Sequence, residues 1–300
     1  MDLISIRRKY KNIRNTIIIS FLVVLSIIAI ILIKEIYRKK LDEKIYIAYS
    51  KQQEQAIETA GDETESQNEV SKASNSKLPQ LTQEGIDNIN NLYHSTEKRV
   101  FLTFDDGPSK NVTPVVLDTL KSENIKATFF LLGSRVELTP DIAKREYDEG
   151  HYVASHGYSH SYSQIYASAQ SVLDEYNKTL VAIRNAIGNQ EYNPHLFRFP
   201  GGFHGGKYAE IKKEAKELLN QNGIVNVDWN SLTSDAAGCT TQEEFLQEID
   251  KTVGEHTSVV LLMHDAGNKM TTAESLPQII AYFRDRGFTF ENFYSVIKWG

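Results

Sequence analysis

The chain has 300 residues, a formal net charge of −6 and a hydrophobic fraction of 41 %, which is the composition of an ordinary globular protein. Its 13 Phe and 15 Tyr residues supply a sizeable core, which excludes disorder along the whole length. The single cysteine, Cys239, excludes an internal disulfide framework and any multi-cysteine metal site. The acidic charge balance argues against a general nucleic-acid-binding protein.

Charge divides the chain into three parts. Residues 1–45 carry ten Lys and Arg residues against four Asp and Glu residues, and residues 46–95 carry three against eight. Residues 96–300 carry 20 against 27. A basic apolar head, an acidic polar segment and a mildly acidic body therefore follow one another along the chain.

The head contains a candidate membrane span. Residues 17–33 read IIISFLVVLSIIAIILI, without a charged side chain. A helix of that length is roughly 26 Å long, near the lower limit for a span, and flanking residues extend it. We predict an uncleaved transmembrane anchor over 17–36 after a basic cytoplasmic tail at 1–16. The alternative, a cleaved signal peptide, lacks a small-residue cleavage site after the apolar run.

The orientation of this anchor is weakly determined, because basic residues lie on both sides of the apolar run. We expect a single-pass protein of the cell membrane with its C-terminal body outside, partly because the motifs in that body imply an extracellular function. Residues 46–95, the larger part of 37–95, are rich in Gln, Glu, Ser, Asn and Thr and cannot bury enough apolar surface to offset their ordering entropy. They predict a solvated stalk, followed by a catalytic domain over 96–300.

The body alternates short β-rich runs with amphipathic helical stretches. Such alternation indicates an α/β fold with a parallel sheet, and the number of units favours a barrel over an open sheet. The predicted strands are 100–104, 127–132, 151–156, 196–200, 224–230 and 258–264, and the predicted helices are 112–124, 139–150, 168–187, 208–223 and 241–253.

Several residues mark the ends of these helices. Thr139 with Pro140, and Thr240 with Glu243, have the spacing of helix starts. Glycines at 150 and 223 lie where helices are expected to stop.

Side chains that can bind a metal or transfer a proton follow nearly every predicted strand. In α/β barrels the carboxyl ends of the strands converge on one mouth, so we expect these side chains to share a cleft. They are Asp105, Asp106, His156, Arg198, Asp228, Asp235 and His264.

The residues after the first and third predicted strands have the pattern of a metal site. His156 and His160 are four residues apart, a spacing that places both imidazoles on one face of a helical turn. With one carboxylate of Asp105 or Asp106 they make three protein ligands and leave a position open for water, as in catalytic zinc sites. The simpler interpretations are a turn capped by its own aspartates and ordinary polar histidines.

Two further strand ends offer an arginine and a histidine. The sequence RFPGG places Arg198 before glycines that let a ligand approach the backbone, and an arginine keeps a nearby carboxylate ionised. The sequence LLMHD places His264 after an apolar strand, where it suits a general acid held by a carboxylate such as Asp235. The alternatives are a surface arginine and a hydrogen-bonded core histidine.

Taken together, these motifs resemble the polysaccharide deacetylases that share the NodB homology domain, a family of carbohydrate esterases. The resemblance covers about residues 98–300. It implies a deformed (β/α) barrel, with Asp105 as general base and with Asp106, His156 and His160 as metal ligands. Zn²⁺, or Co²⁺, Ni²⁺ or Mn²⁺ in its place, is the implied cofactor.

The other implied roles lie in the later motifs. Arg198 would orient the base, and the Gly201 N–H would help to hold the oxyanion. His264 would be the general acid, and Leu262 would line the acetyl pocket. Tyr158 and Trp229 are further candidates for substrate contact.

Two motifs depart from the family pattern. Gly201 stands where the third motif usually has an aromatic residue. In the fourth motif, usually an Asp-Trp pair, Asp235 followed by Ala236 is our preferred placement, and Asp228 with Trp229 is the rival. These departures leave the substrate less defined than the reaction.

The implied reaction is metal-assisted removal of N-acetyl groups from an amino-sugar polymer. An outward-facing enzyme on a stalk favours N-acetylglucosamine of peptidoglycan as the substrate. Alternatives are deacetylases of muramic acid, chito-oligosaccharides or exopolysaccharides, and an O-acetyl esterase acting on xylan-like polymers. A non-catalytic wall-binding module and a phosphate hydrolase are more remote alternatives. The implied partner is the polysaccharide itself, without nucleic acid.

Overall fold

The computed structural model describes residues 82–298. The predicted cytoplasmic tail at 1–16, the predicted anchor at 17–36 and most of the predicted stalk lie outside these residues. Across the part of the chain that is described, no helix has both the length and the apolarity needed to cross a membrane.

Strands and helices alternate through the described residues. The strands are β1 (Arg99–Asp105), β2 (Thr128–Leu131), β3 (Tyr152–Ser155), β4 (Leu196–Phe197), β5 (Val225–Asn226), β6 (Ser231–Leu232), β7 (Ser258–His264) and β8 (Thr289–Glu291). The helices are α1 (Gln83–Asn90), α2 (Thr113–Ser122), α3 (Gly133–Leu138), α4 (Pro140–Asp148), α5 (Tyr162–Ile165), α6 (Ala169–Ile187), α7 (Ala209–Gln221), α8 (Gln242–Val253) and α9 (Met270–Asp285).

The strands form one parallel sheet in the order β5-β4-β3-β2-β1-β7-β6, with β8 beside the first half of β1. At its carboxyl end β1 places Asp105 opposite Phe130 of β2 and His264 of β7. The carboxyl ends of all these strands therefore lie at the same edge of the sheet, as the sequence predicts.

The sheet curls because its two outermost strands are close neighbours in the chain. Residues 227–230 alone separate β5 from β6, and an extended chain of that length spans at most about 17 Å. The fold is thus a parallel half-barrel, which confirms the predicted α/β class with its parallel sheet and gives the form that the deformed barrel takes here. The single strand predicted at 224–230 is wrong, because the chain leaves β4 after Asn226 and pairs with β7 only from Ser231.

Both faces of the sheet are buried. Val100, Leu102 and Phe104 of β1 pack beneath the helices, whereas Phe101 packs inside the half-barrel. Because side chains alternate along a strand, Asp105 lies on the same inner face as Phe101. The first candidate site residue therefore stands above the core at the mouth of the half-barrel.

The body begins earlier than the sequence analysis predicts. Thr82 caps α1 by accepting a hydrogen bond from the Gly85 N–H, and Ile89 and Leu92 are buried in the core. Residues 83–95 therefore do not belong to a solvated stalk. Their polar composition conceals an apolar stripe that is wide enough for one helix to pack on the body.

The predicted helix ends are largely confirmed. Helix α4 begins with Thr139 before Pro140, and Gly150 and Gly223 follow helices with positive φ angles. The start predicted at Thr240 is wrong by one residue. Thr241 and Glu244 form the capping box of α8, because the same three-residue spacing recurs one position later.

Candidate active site

A buried ion pair lies at the carboxyl end of β1. Asp105, at the end of β1, is only 2 % exposed. Arg198, directly after β4, donates from Nη1 to Asp105 Oδ1 at 2.8 Å and to Thr103 Oγ1 at 2.8 Å. The guanidinium thereby fixes the direction in which the carboxylate faces the cleft.

The remaining donors of Arg198 bind the chain between β5 and β6. Its Nε donates to the Val227 carbonyl at 3.0 Å, and its Nη2 donates to the Asp228 carbonyl at 3.1 Å. The guanidinium also lies 4.0 Å from the centroid of the Phe130 ring. Burial raises the pKa of Asp105 above its ordinary value, and the Arg198 charge only partly opposes this rise.

A cluster of potential metal ligands lies beside this ion pair. Oδ1 of Asp106 is 3.6 Å from His156 Nε2 and 3.4 Å from His160 Nε2, and all three ligand atoms fall within 4.8 Å of one another. Both Asp106 and His160 have left-handed backbones, with φ values of 72° and 54°. These turns bring together side chains that follow β1 and β3.

The chemistry of this cluster fits a divalent cation. Asp106 Oδ1 is buried and has no hydrogen-bond partner among the described residues. His156 donates from Nδ1 to the Arg198 carbonyl at 2.9 Å, which leaves the lone pair of Nε2 for a metal. Burial lowers the pKa of His156 to about 3, so its imidazole is neutral, as a ligand must be.

A second hydrogen-bonded pair lies at the end of β7, the strand that pairs with β1. His264 Nδ1 donates to Asp235 Oδ1 at 2.8 Å, and its backbone N–H donates to Oδ2 at 3.0 Å. Thr272 also donates to Oδ2, at 2.8 Å. Burial opposes protonation of His264, but the hydrogen bond and the charge of Asp235 outweigh it and raise the pKa of the imidazole.

The carboxylate that contacts His264 is therefore that of Asp235. The carboxylate of Asp228 instead accepts a hydrogen bond from the Phe203 N–H at 2.9 Å and holds the loop after β4. Trp229 packs over Gly202 in the same loop, with its ring centroid 5.7 Å from the Arg198 guanidinium.

The three other candidates for substrate contact lie in different surroundings. Leu262 is buried on β7, two residues before His264 and on the same face of the strand. Gly201 is exposed, and its φ of 73° lies in the left-handed region. Tyr158 is tied to helices α3 and α6: its hydroxyl donates to Glu137, and Lys178 lies over its ring.

One buried carboxylate at the site was missed by the sequence analysis. Asp265 accepts a hydrogen bond from Thr113 and lies directly against Gly107, so that it joins the end of β7 to the turn after Asp106. Burial, together with the charges of Asp106 and Asp105, raises its pKa to about 7 although the hydrogen bond from Thr113 opposes the rise. Its place beside His264 in LLMHD was the available signal.

Comparison with known proteins identifies the family of the chain. The sequence pattern of the polysaccharide deacetylase family matches residues 93–227. The peptidoglycan-N-acetylglucosamine deacetylase PgdA of Listeria monocytogenes is 36 % identical over 199 residues, which cover 65 % of this chain and 38 % of that protein. The chain thus matches well under half the length of that relative.

Two further proteins match over most of their length. A peptidoglycan-N-acetylglucosamine deacetylase of Bacillus cereus is 33 % identical over 208 residues, covering 67 % of this chain and 72 % of that protein. The structure of a Streptococcus mutans CE4 esterase superimposes with a TM-score of 0.63 and 34 % identity, covering 71 % of this chain and 92 % of that one. The chain belongs to the polysaccharide deacetylase family.

Proposed function

We propose that this protein is a metal-dependent hydrolase that removes N-acetyl groups from a cell-wall polysaccharide. The observation that carries the proposal is the arrangement of two different pairs around one ligand cluster. Asp105, held by Arg198, lies beside the cluster, and His264, held by Asp235, ends the strand next to that of Asp105. A base, an acid and a cation site in one cleft are the parts that amide hydrolysis requires.

The cation would be held by Asp106, His156 and His160. When bound, Zn²⁺ or another divalent transition metal such as Co²⁺, Ni²⁺ or Mn²⁺ acts as a Lewis acid that polarises a carbonyl and acidifies water. Asp105 accepts a proton from the attacking water, and Arg198 keeps its carboxylate aligned. The Gly201 N–H donates to the oxygen on which negative charge develops.

The second half of the reaction belongs to His264. Its Nδ1 is bound to Asp235, so its Nε2 is the nitrogen that delivers a proton to the leaving amine. The C–N bond breaks, and acetate and a free amino sugar are released. Leu262 is an apolar neighbour for the acetyl methyl group. Separate partners for acid and base allow their pKa values to be set independently.

N-acetylglucosamine of peptidoglycan is the substrate that we favour. The support is the names of two relatives, from Listeria monocytogenes and Bacillus cereus, which are both peptidoglycan-N-acetylglucosamine deacetylases. The apolar run at 17–33 supports a cell-membrane location, and a peptidoglycan substrate requires the catalytic body to face the wall. Trp229, which packs over Gly202 in the loop after β4, is a further candidate for contact with the polymer.

Acetate release by the full-length chain in detergent tests this proposal. Purified peptidoglycan and N-acetylglucosamine oligomers would be compared after chelation and after return of Zn²⁺. We expect metal-dependent release of acetate from both, with peptidoglycan the better substrate. Phosphate release from phosphorylated substrates without acetate release would favour the phosphate hydrolase instead.

The matched variant is Asp105→Asn, which keeps the shape of the side chain but removes the base. We expect acetate release to fall at least 100-fold, in line with the contribution of general bases, while bound zinc remains. Unchanged turnover in this variant would remove Asp105 from the mechanism. A wild-type chain that binds zinc and polymer without releasing acetate would support the wall-binding module.

A further inference from the structure

The side chain of Tyr162 occupies the space that a side chain at position 201 would take. A Cβ atom built at position 201 would lie 2.4 Å from the hydroxyl oxygen of Tyr162 and 3.1 Å from its Cζ. Because these distances are too short for a Cβ atom, a residue larger than glycine here would displace the Tyr162 phenol from its present position. The hydroxyl end of Tyr162 therefore rests against the backbone of Gly201, whose N–H the proposed function assigns to the oxyanion.

Tyr162 also borders the ligand cluster. It follows His160 by two residues, and the centroids of the two rings are 5.6 Å apart. The phenol O–H of Tyr162 can donate a hydrogen bond. The phenol thus lies between His160, a proposed metal ligand, and the loop that contains Gly201.

The ring is exposed at its front and supported from behind. Tyr162 is 42 % exposed, and no residue within 82–298 forms a hydrogen bond with its hydroxyl. Tyr166 and Tyr208 pack against its ring, with centroids at 5.7 and 6.4 Å. Tyr166 is itself fixed by donating to the Pro200 carbonyl.

A supported aromatic ring with a free polar tip suits a sugar, which offers an apolar C–H face and a rim of hydroxyl groups. We propose that Tyr162 is a specificity-determining residue: its ring packs against the amino sugar beside the ligand cluster, and its hydroxyl donates to a sugar oxygen. This inference rests on the proposed function, because it assigns the sugar to the same cleft.

Two variants separate the contributions of ring and hydroxyl. Tyr162→Phe removes only the hydroxyl, and we expect KM for N-acetylglucosamine oligomers to rise about three- to tenfold with kcat nearly unchanged. Tyr162→Ala removes the ring as well, and we expect KM to rise more than tenfold. Bound zinc should equal that of the wild type in both variants, because Tyr162 is not among the proposed ligands.

Tyr294→Phe is the matched control. Tyr294 is also 42 % exposed, but it packs on Tyr152, at a centroid distance of 4.6 Å, away from the ligand cluster. We expect its KM and kcat to match those of the wild type. An unchanged KM in Tyr162→Ala would overturn the proposal, and so would loss of zinc from either Tyr162 variant.

A binding measurement keeps this test independent of turnover. Full-length Asp105→Asn, loaded with zinc, would be titrated with an N-acetylglucosamine oligomer, with and without the additional Tyr162→Ala change. Weaker binding by the double variant supports the role of Tyr162, and equal binding overturns it. A wild-type chain that releases no acetate would contradict the proposed function alone, since this titration still reports on Tyr162.

Discussion

The base side of the site, which we define as Asp105 with Arg198, and its acid side, His264 with Asp235, use the same kinds of partner in opposite ways. On the base side the carboxylate of Asp105 is the reacting group and the cation, Arg198, positions it. On the acid side the imidazole of His264 is the reacting group and the carboxylate, Asp235, positions it. Arg198 is completely buried, whereas the side chain of His264 is 12 % exposed.

This difference shows how one fold supplies both a base and an acid. Arginine cannot lose its proton near neutral pH, so its pair with Asp105 leaves the carboxylate as the only member that titrates. Asp235 raises the pKa of its histidine, and the cationic imidazole is the member that gives up a proton. The member that cannot react fixes the geometry on each side.

Replacing Arg198 with Met should produce the largest effect. The change leaves Asp105 buried without its partner, and two carbonyls of the 227–230 segment lose their donors. We expect the free energy of unfolding to fall by about 3–5 kcal/mol and acetate release to be lost. Denaturant titration and an acetate assay would measure both.

Arg198→Lys is the comparison that keeps the charge. A lysine has no planar fork and cannot reach all these acceptors, so we expect most of the loss to persist. Full activity in the lysine variant would show that charge alone, rather than the shape of the guanidinium, positions Asp105.

Replacing Asp235 with Asn should affect only the acid side. Both the negative charge and the accepted hydrogen bond raise the pKa of His264, so the variant lowers that pKa. Because the acid must be protonated, the alkaline limb of the kcat/KM profile should move to lower pH. The acidic limb, which depends on ionised Asp105, should stay in place.

A pH profile of kcat/KM for Asp235→Asn and for the wild type decides this point. Movement of both limbs together would mean that acid and base titrate as one coupled group. An alkaline limb that does not move would show that it reports a group other than His264.

The smallest expected effect tests the support of the acid side. Helix α8 holds β6 through Thr252, whose hydroxyl accepts a hydrogen bond from the Leu232 N–H, and Thr241 caps that helix. Thr241→Ala should lower the free energy of unfolding by about 1 kcal/mol and leave kcat/KM unchanged. Thr240→Ala is the matched control, with a smaller loss expected, since Thr240 is not the cap. Equal losses would contradict the capping box at Thr241.

The sequence predicts the site better where it depends on strand ends. Asp105, His156 and His264 meet because carboxyl ends of parallel strands share an edge, and that rule needs only the strand positions. The choice between Asp228 and Asp235 depends on how the chain crosses from β5 to β6, which no local pattern reports.

Other elements lack a local signal for physical reasons. Helix α9 contains Pro277, which argues against a helix interior until tertiary packing outweighs it. Strand β8 has only three residues, too few for a periodic pattern. The role that we propose for Tyr162 depends on its contact with Gly201, 39 positions away in the chain, and no local sequence pattern predicts that contact.

The short segment at 227–230 carries a consequence for the order of folding. Arg198 reaches back 93 positions to Asp105 and forward 29 positions to Val227, so its hydrogen bonds close long loops. Such contacts are entropically costly and are expected to form late. A nascent chain that ends before residue 227 lacks the carbonyls that hold the guanidinium. We therefore expect Asp106, His156 and His160 to gather before the base is fixed in place.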